Sequence, residues 1–279
     1  MMGRDSERRK GRTITSTANP LVKLFRHALA EGVTREGWLA IEGPHALEEA
    51  LSAGPEVAPQ SVLVSETAGS KFQSLLARLP RETEVARVAD ALFNRVADTP
   101  SPQGIAALVE VKARELDPLL RQPSVLLLVA CGVQDPGNLG TMMRSAQALG
   151  ASALLTLKDT VSPFNPKAAR SSAGAIFHLP IFHGLEPAGL FRQLRAAGVR
   201  VVASDRKSPN PLHRADLRGG LAFLIGREGS GLPEESIRGA DLRLSIPIRP
   251  GMDSVNAATA ASIFLYEAAR QREFEKLSR

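Results

Sequence analysis

Short apolar runs alternate along this chain with longer stretches whose apolar residues recur every three or four positions, and Gly, Pro and Asn mark the changeovers. In the first half the pattern predicts a helix over Leu21–Leu29 behind the turn Thr15–Pro20, and a strand over Trp38–Gly43. A helix over Pro44–Ala53 follows, with Pro in its first turn and Gly54 after its end. The strand Ser61–Val64, helix Lys71–Leu79, strand Glu84–Val88, helix Ala91–Val96 and strand Gly104–Val111 complete this half. The second half opens on Ser124–Ala130, an apolar run that reads as a strand buried on both faces of a parallel sheet. Helix and strand then take turns: helix Leu139–Leu149, strand Ala153–Leu157, a helix near Pro166–Ala173, strand Leu179–Phe182, helix Pro187–Ala197 and strand Val199–Ser204. The strand Leu221–Ile225, helix Pro233–Ile237, strand Leu242–Ile246 and an Ala-rich helix over Ala257–Arg270 close the chain.

This alternation predicts an α/β protein with a parallel-sheet C-terminal domain behind a small mixed α/β domain. The divisions are a basic, disordered tail over 1–12, the small domain over 13–111, a charged linker over 112–122 containing Pro118, and the larger domain over 123–279.

Charge sharpens the division. Residues 1–122 carry 16 Lys+Arg against 16 Asp+Glu, and the remaining residues carry 19 against 13, which accounts for the whole net charge of +6. An electropositive second half suits a polyanion such as RNA, although a merely basic surface would count the same. Aromatic residues are only 4%, too few for an extensive base-stacking platform. No apolar run reaches the length of a membrane span, and Met1–Arg12 lacks a signal-peptide core, so the expectation is a cytoplasmic protein with no membrane partner. The single cysteine, Cys131, ends an apolar strand and reads as a buried structural thiol. The five histidines show no metal-ligand spacing, so no metal is expected.

Ligands of open parallel sheets bind beyond the carboxyl ends of the strands. Three such ends carry unusual loops here. The first is Gly132–Gly140, in which Asn138 can cap the following helix, with Arg144 six residues on. The second is Leu224–Leu232, rich in glycines that permit close backbone approach. The third is Ile246–Asn256, which places Ser254 and Asn256 at a helix N-terminus, where free N–H groups gather. No G-x-G-x-x-G follows the first strand of this domain, no Walker loop is present, and Gly229-Ser230-Gly231 does not complete a G-x-S-x-G elbow.

Together these loops resemble the three signature motifs of the SpoU (TrmH-like) RNA ribose 2′-O-methyltransferases of the SPOUT superfamily: Asp135-Pro136-Gly137-Asn138-Leu139-Gly140 through Arg144; Ile225-Gly226-Arg227-Glu228-Gly229-Ser230-Gly231-Leu232; and Ile246-Pro247 through Ser254-Val255-Asn256 with Tyr266-Glu267. Residues 13–111 resemble, more loosely, the family's RNA-substrate-binding domain, through Thr15-Ser16, Asn19–Lys23, Glu42-Gly43 and Glu48–Leu51. Departures are small: Asp135 stands where Asn is frequent, Val255 where Leu is usual and Ala257 where Val is common.

The resemblance implies a deep trefoil knot that binds S-adenosyl-L-methionine, with Gly226, Ile246 and Val255 at cofactor positions and Leu224 and Ile248 beside them. It implies a catalytic set of Arg144, Asn138, Glu228, Ser254 and Asn256. Arg144 would lie at the reacting hydroxyl, Ser254 and Asn256 would orient it or the ribose, and Asn138 and Glu228 would hold the constellation, Glu228 as an ionic partner for an arginine. It further implies a homodimer and an RNA substrate, most naturally ribosomal RNA of the 23S type. A transfer-RNA enzyme and a catalytically silent RNA-binding relative are the alternatives, and the intact polar set argues against the silent one.

Overall fold

The computed structural model describes residues 12–274 of the 279. The tail expected over 1–12 therefore lies outside the described residues, except for Arg12, which opens a strand. The chain forms two compact units. One runs up to Ala113 and includes Phe164–Arg170; the other is Arg114–Pro163 with the chain from Ser171 onward. No helix among the described residues is long and apolar enough to cross a membrane.

The first unit contains β1 (Arg12–Ile14), α1 (Pro20–Glu31), β2 (Leu39–Glu42), α2 (Pro44–Ser52), β3 (Val57–Ser65), α3 (Glu66–Lys71), α4 (Gln73–Ala77), β4 (Glu84–Val88), α5 (Asp90–Asn94) and β5 (Ile105–Val111). Its five-stranded sheet has the order β1-β4-β3-β5-β2, with β5 antiparallel to both neighbours. Asn19 caps α1 by accepting from the Leu21 N–H at 2.9 Å, and Phe25, Phe93 and Leu108 fill the core. The helix predicted over 71–79 is instead broken at Phe72, and its first half begins early because the Ser65 hydroxyl caps it through the Ala68 N–H.

The second unit begins with α6 (Leu116–Leu120), inside the stretch that its charges marked as a linker. Leu116, Leu119 and Leu120 fall at helical spacing and pack on the core, while the charges face solvent. Pro118 is tolerated because it sits in the first turn. There follow β6 (Leu126–Ala130), α7 (Pro136–Ala148), β7 (Ala153–Leu157), α8 (Pro166–Ser171, most of it grouped with the first unit), α9 (Ala175–His178), β8 (Ile181–Leu185), α10 (Pro187–Ala196), β9 (Arg200–Ser204), β10 (Leu221–Ile225), α11 (Glu234–Gly239), β11 (Leu242–Leu244) and α12 (Ala257–Gln271).

The six strands run in the order β11-β9-β10-β6-β7-β8, all parallel. Val125, Leu127 and Val129 point to one face, against Leu190, Phe191 and Leu194 of α10. On the other face Phe223 meets Phe264 of α12 edge-on, with ring centroids 5.3 Å apart. A hydroxyl pair, Ser145 with Ser262 at 2.8 Å, joins α7 to α12. Cys131 continues β6, donating its N–H to the Ile225 carbonyl at 2.8 Å, and burial pushes its thiol up to about 12. It is a core residue and no nucleophile.

The order of the sheet positions the site. β10 lies between β6 and β9, so the loops after β6, β9, β10 and β11 leave the sheet on one side and next to one another.

Candidate active site

Helix α7 starts three residues earlier than its apolar spacing suggests. Pro136 occupies its first turn, and the cap is Asp135, whose carboxylate accepts from the Asn138 N–H at 2.8 Å. Asn138 thus lies within the helix rather than capping it, and its side chain is released for other work. Its amide donates to Glu228 Oε1 at 2.7 Å and its oxygen accepts from Asn256 Nδ2 at 2.9 Å. Asn256 Nδ2 also donates to Glu228, and the Ala257 N–H reaches the same carboxylate at 3.4 Å. The Oδ1 of Asn256 caps α12 by accepting from the N–H groups of Ala258 and Thr259 at 2.9 and 3.2 Å. Three loops, after β6, β10 and β11, are thereby joined through one carboxylate and two amides. The carboxylate stands at the positive end of α12, where a negative charge is favoured.

Glu228 therefore pairs with amides, not with an arginine. Arg144 is exposed on α7 and makes no hydrogen bond or ion pair with any described residue. It lies six residues beyond Asn138, so about 120° away around the helix and roughly 9 Å along it.

Removing Asn256 tests the joint. Asn256→Ala strips the cap and leaves the Glu228 and Asn138 side chains short of a partner. The expected cost is about 1–2 kcal/mol of stability, read as a lower urea midpoint, and a midpoint equal to wild type would refute the bonding described.

Beside this joint lies a cavity of about 350 Å³, within the usual span of small-molecule sites. Gly226, Ile246, Ile248, Ser254 and Val255 all line it, together with Leu232 and Ile237 at its apolar wall. Leu224 does not: it is wholly buried within the sheet core. Ser254 is exposed at the rim with no side-chain partner among the described residues. Gly226 is set by close approach. A Cβ there would fall on the Gly231 carbonyl and the Leu232 nitrogen, because Arg227 and Gly231 exchange backbone hydrogen bonds of 3.1 and 3.0 Å that fold the loop back on itself. Arg227 then ties this loop to the first one, its Nε donating to the Gly132 carbonyl at 2.7 Å.

A fourth loop, unnoticed in the sequence, also lines the cavity: Asp205, Arg206 and Lys207, after β9. Asp205 receives the Arg243 guanidinium, with Nε at 2.9 Å. Burial works against its charge, but the Lys207 N–H and Arg243 outweigh it and hold the carboxyl below the usual range. The charged run Asp205–Ser208 at the carboxyl end of an apolar strand was the available signal.

The chemistry of the lining fits a nucleoside-bearing methyl donor: apolar side chains, glycine backbone that a Cβ would block, and a set of polar and charged groups among them. Among the described residues no group of three His, Cys, Asp or Glu side chains could hold a metal ion.

Comparisons with known proteins identify relatives of the chain. Residues 125–266 match the family model of the SpoU rRNA methylases, and residues 40–113 match that of the RNA 2′-O ribose methyltransferase substrate-binding domain. The chain is 32% identical to the 23S rRNA (guanosine(2553)-2′-O)-methyltransferase RlmP of Bacillus subtilis, over 91% of this chain and 97% of that one. Among solved structures it is similar to the SpoU methyltransferase AviRb from Streptomyces viridochromogenes in complex with AdoMet, with a TM-score of 0.81 at 29% identity, covering 91% of this chain and 98% of AviRb. An AdoMet-bound rRNA methyltransferase from Sinorhizobium meliloti gives the same TM-score and identity over 93% and 97%. With the polar joint, the cavity and these matches in hand, the chain belongs to the SpoU rRNA methylase family.

Proposed function

We propose that this protein transfers a methyl group from S-adenosyl-L-methionine to a ribose 2′-hydroxyl of ribosomal RNA of the 23S type. The observation that carries the reading is the joint of Asn138, Glu228 and Asn256 at the cavity rim, made by three loops that are far apart in sequence. Bound in the cavity, S-adenosylmethionine supplies a methyl group already activated on a sulfonium.

The residues supply position and charge. Gly226, Ile246 and Val255 flank the donor with backbone and apolar surface, Ile248 sits beside them, and Leu224 backs the wall from the core. Glu228 places a negative charge near the sulfonium, and the two amides fix its direction. Ser254, unclaimed at the rim, is available to the ribose. A guanidinium is a donor without a free lone pair, so the part of Arg144 is to stabilise the attacking oxygen or the adjoining phosphate, not to remove the proton.

Arg144 lines no part of its own chain's cavity. That supports a homodimer in which a second copy presents it, with α7 and α12 as the contact surface; Tyr266 of α12 is 53% exposed and is a natural part of it. The reading also includes the trefoil knot in the loops after β10 and β11, RNA held by the 13–111 domain, the 112–122 stretch as connection, and a cytoplasmic location.

The test is a map of 2′-O-methylated riboses in RNA from cells lacking the protein. Loss of one site in 23S-type rRNA, restored by the gene, is expected. Loss confined to transfer RNA would move the substrate, and an unchanged map would sink the enzymatic reading. Light scattering should give twice 29.8 kDa.

A further inference from the structure

Four cationic side chains line the cavity, and three of them are committed. Arg243 holds the Asp205 carboxylate. Arg227 gives its Nε to the Gly132 carbonyl. Arg206 donates to the Asp253 carbonyl at 3.0 Å and stands 3.6 Å from its carboxylate. The fourth, the Lys207 ammonium, has no hydrogen-bond or ion-pair partner among the described residues.

The backbone beneath that ammonium is fixed. The Lys207 N–H donates to the Asp205 carboxylate at 2.9 Å, and the Ser208 N–H donates to the Asp205 carbonyl at 3.0 Å. The Ser208 hydroxyl donates to the Arg243 carbonyl at 2.6 Å, and Ser208 is 7% exposed. This turn is thus fastened to β11 at two points. A compact charge on a flexible stem, anchored at a cavity wall with no carboxylate in hydrogen-bond or ion-pair contact with it, is suited to receive an anion. The Lys207 charge acts on Asp205 through space, but the carboxylate's hydrogen bonds go to the Arg243 guanidinium and the Lys207 N–H, so the ammonium keeps its own donors for a ligand.

Glu228 and Lys207 lie toward different sides of the cavity. Glu228 is drawn toward the β6 side of β10 through Asn138. The turn carrying Lys207 belongs to the β9–β11 side of the same strand. A ligand spanning the cavity meets the Glu228 carboxylate toward one side and the unpaired Lys207 ammonium toward the other. The methyl donor has matching ends: a sulfonium at its middle and, at the tip of its amino-acid chain, its single anionic group, the α-carboxylate.

We propose that Lys207 binds the α-carboxylate of the donor's amino-acid portion, an assignment that rests on S-adenosylmethionine being the cavity's ligand. Lys207 thereby selects donors that carry the amino-acid tail over bare nucleosides, and it sets the tail's direction while the sulfonium lies toward Glu228.

Isothermal titration of the full chain separates the alternatives. The probes are S-adenosylhomocysteine and 5′-methylthioadenosine, which keeps the nucleoside and thioether but lacks the amino-acid tail. Lys207→Met should weaken S-adenosylhomocysteine about tenfold, the effect of one lost charge-assisted hydrogen bond. Its affinity for methylthioadenosine should stay within about twofold of wild type, since no charge is lost to that ligand. Lys207→Arg should recover most of the difference. An equal loss for both probes, or none for S-adenosylhomocysteine, overturns the proposal. So does a tail-selective loss in Arg206→Met with Lys207→Met unaffected, which would move the carboxylate to Arg206. Failure of the wild-type protein to bind either probe would bring down the donor assignment itself, and the two failures are therefore distinguishable.

Discussion

Arg144→Ala is expected to lower methyl transfer by at least about 10²–10³-fold, the range for removing one group that stabilises developing charge, while donor binding stays near wild type. The separation follows from position: Arg144 is exposed on α7 and does not line the cavity, so its loss leaves the donor's walls intact. Single-turnover transfer to the RNA substrate reads the first quantity and titration calorimetry the second. Full transfer by this variant would remove Arg144 from the chemistry. The same variant examines the proposed dimer. Mixed and re-equilibrated with Glu228→Ala, an inactive partner defective at the other half of the site, it should regain about a quarter of wild-type activity through hybrid dimers with one intact site. Absence of any recovery in demonstrated hybrids would place Arg144 with its own chain's cavity.

Gly226→Ala is expected to weaken donor binding by about two orders of magnitude, or roughly 3 kcal/mol. The added methyl group has nowhere to go, because the atoms it meets are the Gly231 carbonyl and the Leu232 nitrogen, and backbone cannot swing aside as a long side chain would. The loop must open, and with it the Arg227–Gly231 backbone pair and the placement of Glu228. A stability loss of about 1–3 kcal/mol should accompany this, as for other overpacked sites. Gly189→Ala in α10 is the control: nothing lies within 4 Å of its added Cβ, and the change should be neutral or slightly stabilising. Unimpaired donor binding by Gly226→Ala would mean that the loop reshapes freely and that the cavity owes nothing to its tight turn.

Much of this was legible in the sequence, for identifiable reasons. The central strands of the second unit are buried on both faces, so Leu126–Ala130 and Leu221–Ile225 appear as unbroken apolar runs. The three loops that meet at the site could be named because glycine, proline and short polar residues are concentrated there. Helix ends were harder, since the spacing of apolar residues does not reveal which polar group caps. Asp135 and Asn138 are both good caps, and only the fold shows that the first takes the role and frees the second. The helix Leu116–Leu120 was hidden behind its charges. The loop after β9 was missed because a single strand end with a charged turn carries no motif; it matters only because β9 lies beside β10, and strand order is a property of tertiary packing that local pattern does not encode. Glu228 stands out in the sequence as a candidate site residue, but its partners lie 28 and 90 positions away in the chain, at a range where residue type alone cannot choose between an amide and an arginine.

The order β9-β10-β6 has a further consequence for how the protein is made. A ribosome releases β6 and β9 before β10, yet β10 pairs with both. Until the segment ending at Ile225 emerges, β6 and β9 therefore lack the strand that joins them in the finished sheet. Glu228 follows β10 and Asn256 follows β11, so the joint that defines the site closes only when nearly all of the chain has been synthesised. A chain interrupted before β10 would carry Arg144 and Asn138 but lack the 226–232 and 246–255 walls of the cavity, and its β6 and β9 would be without their shared partner.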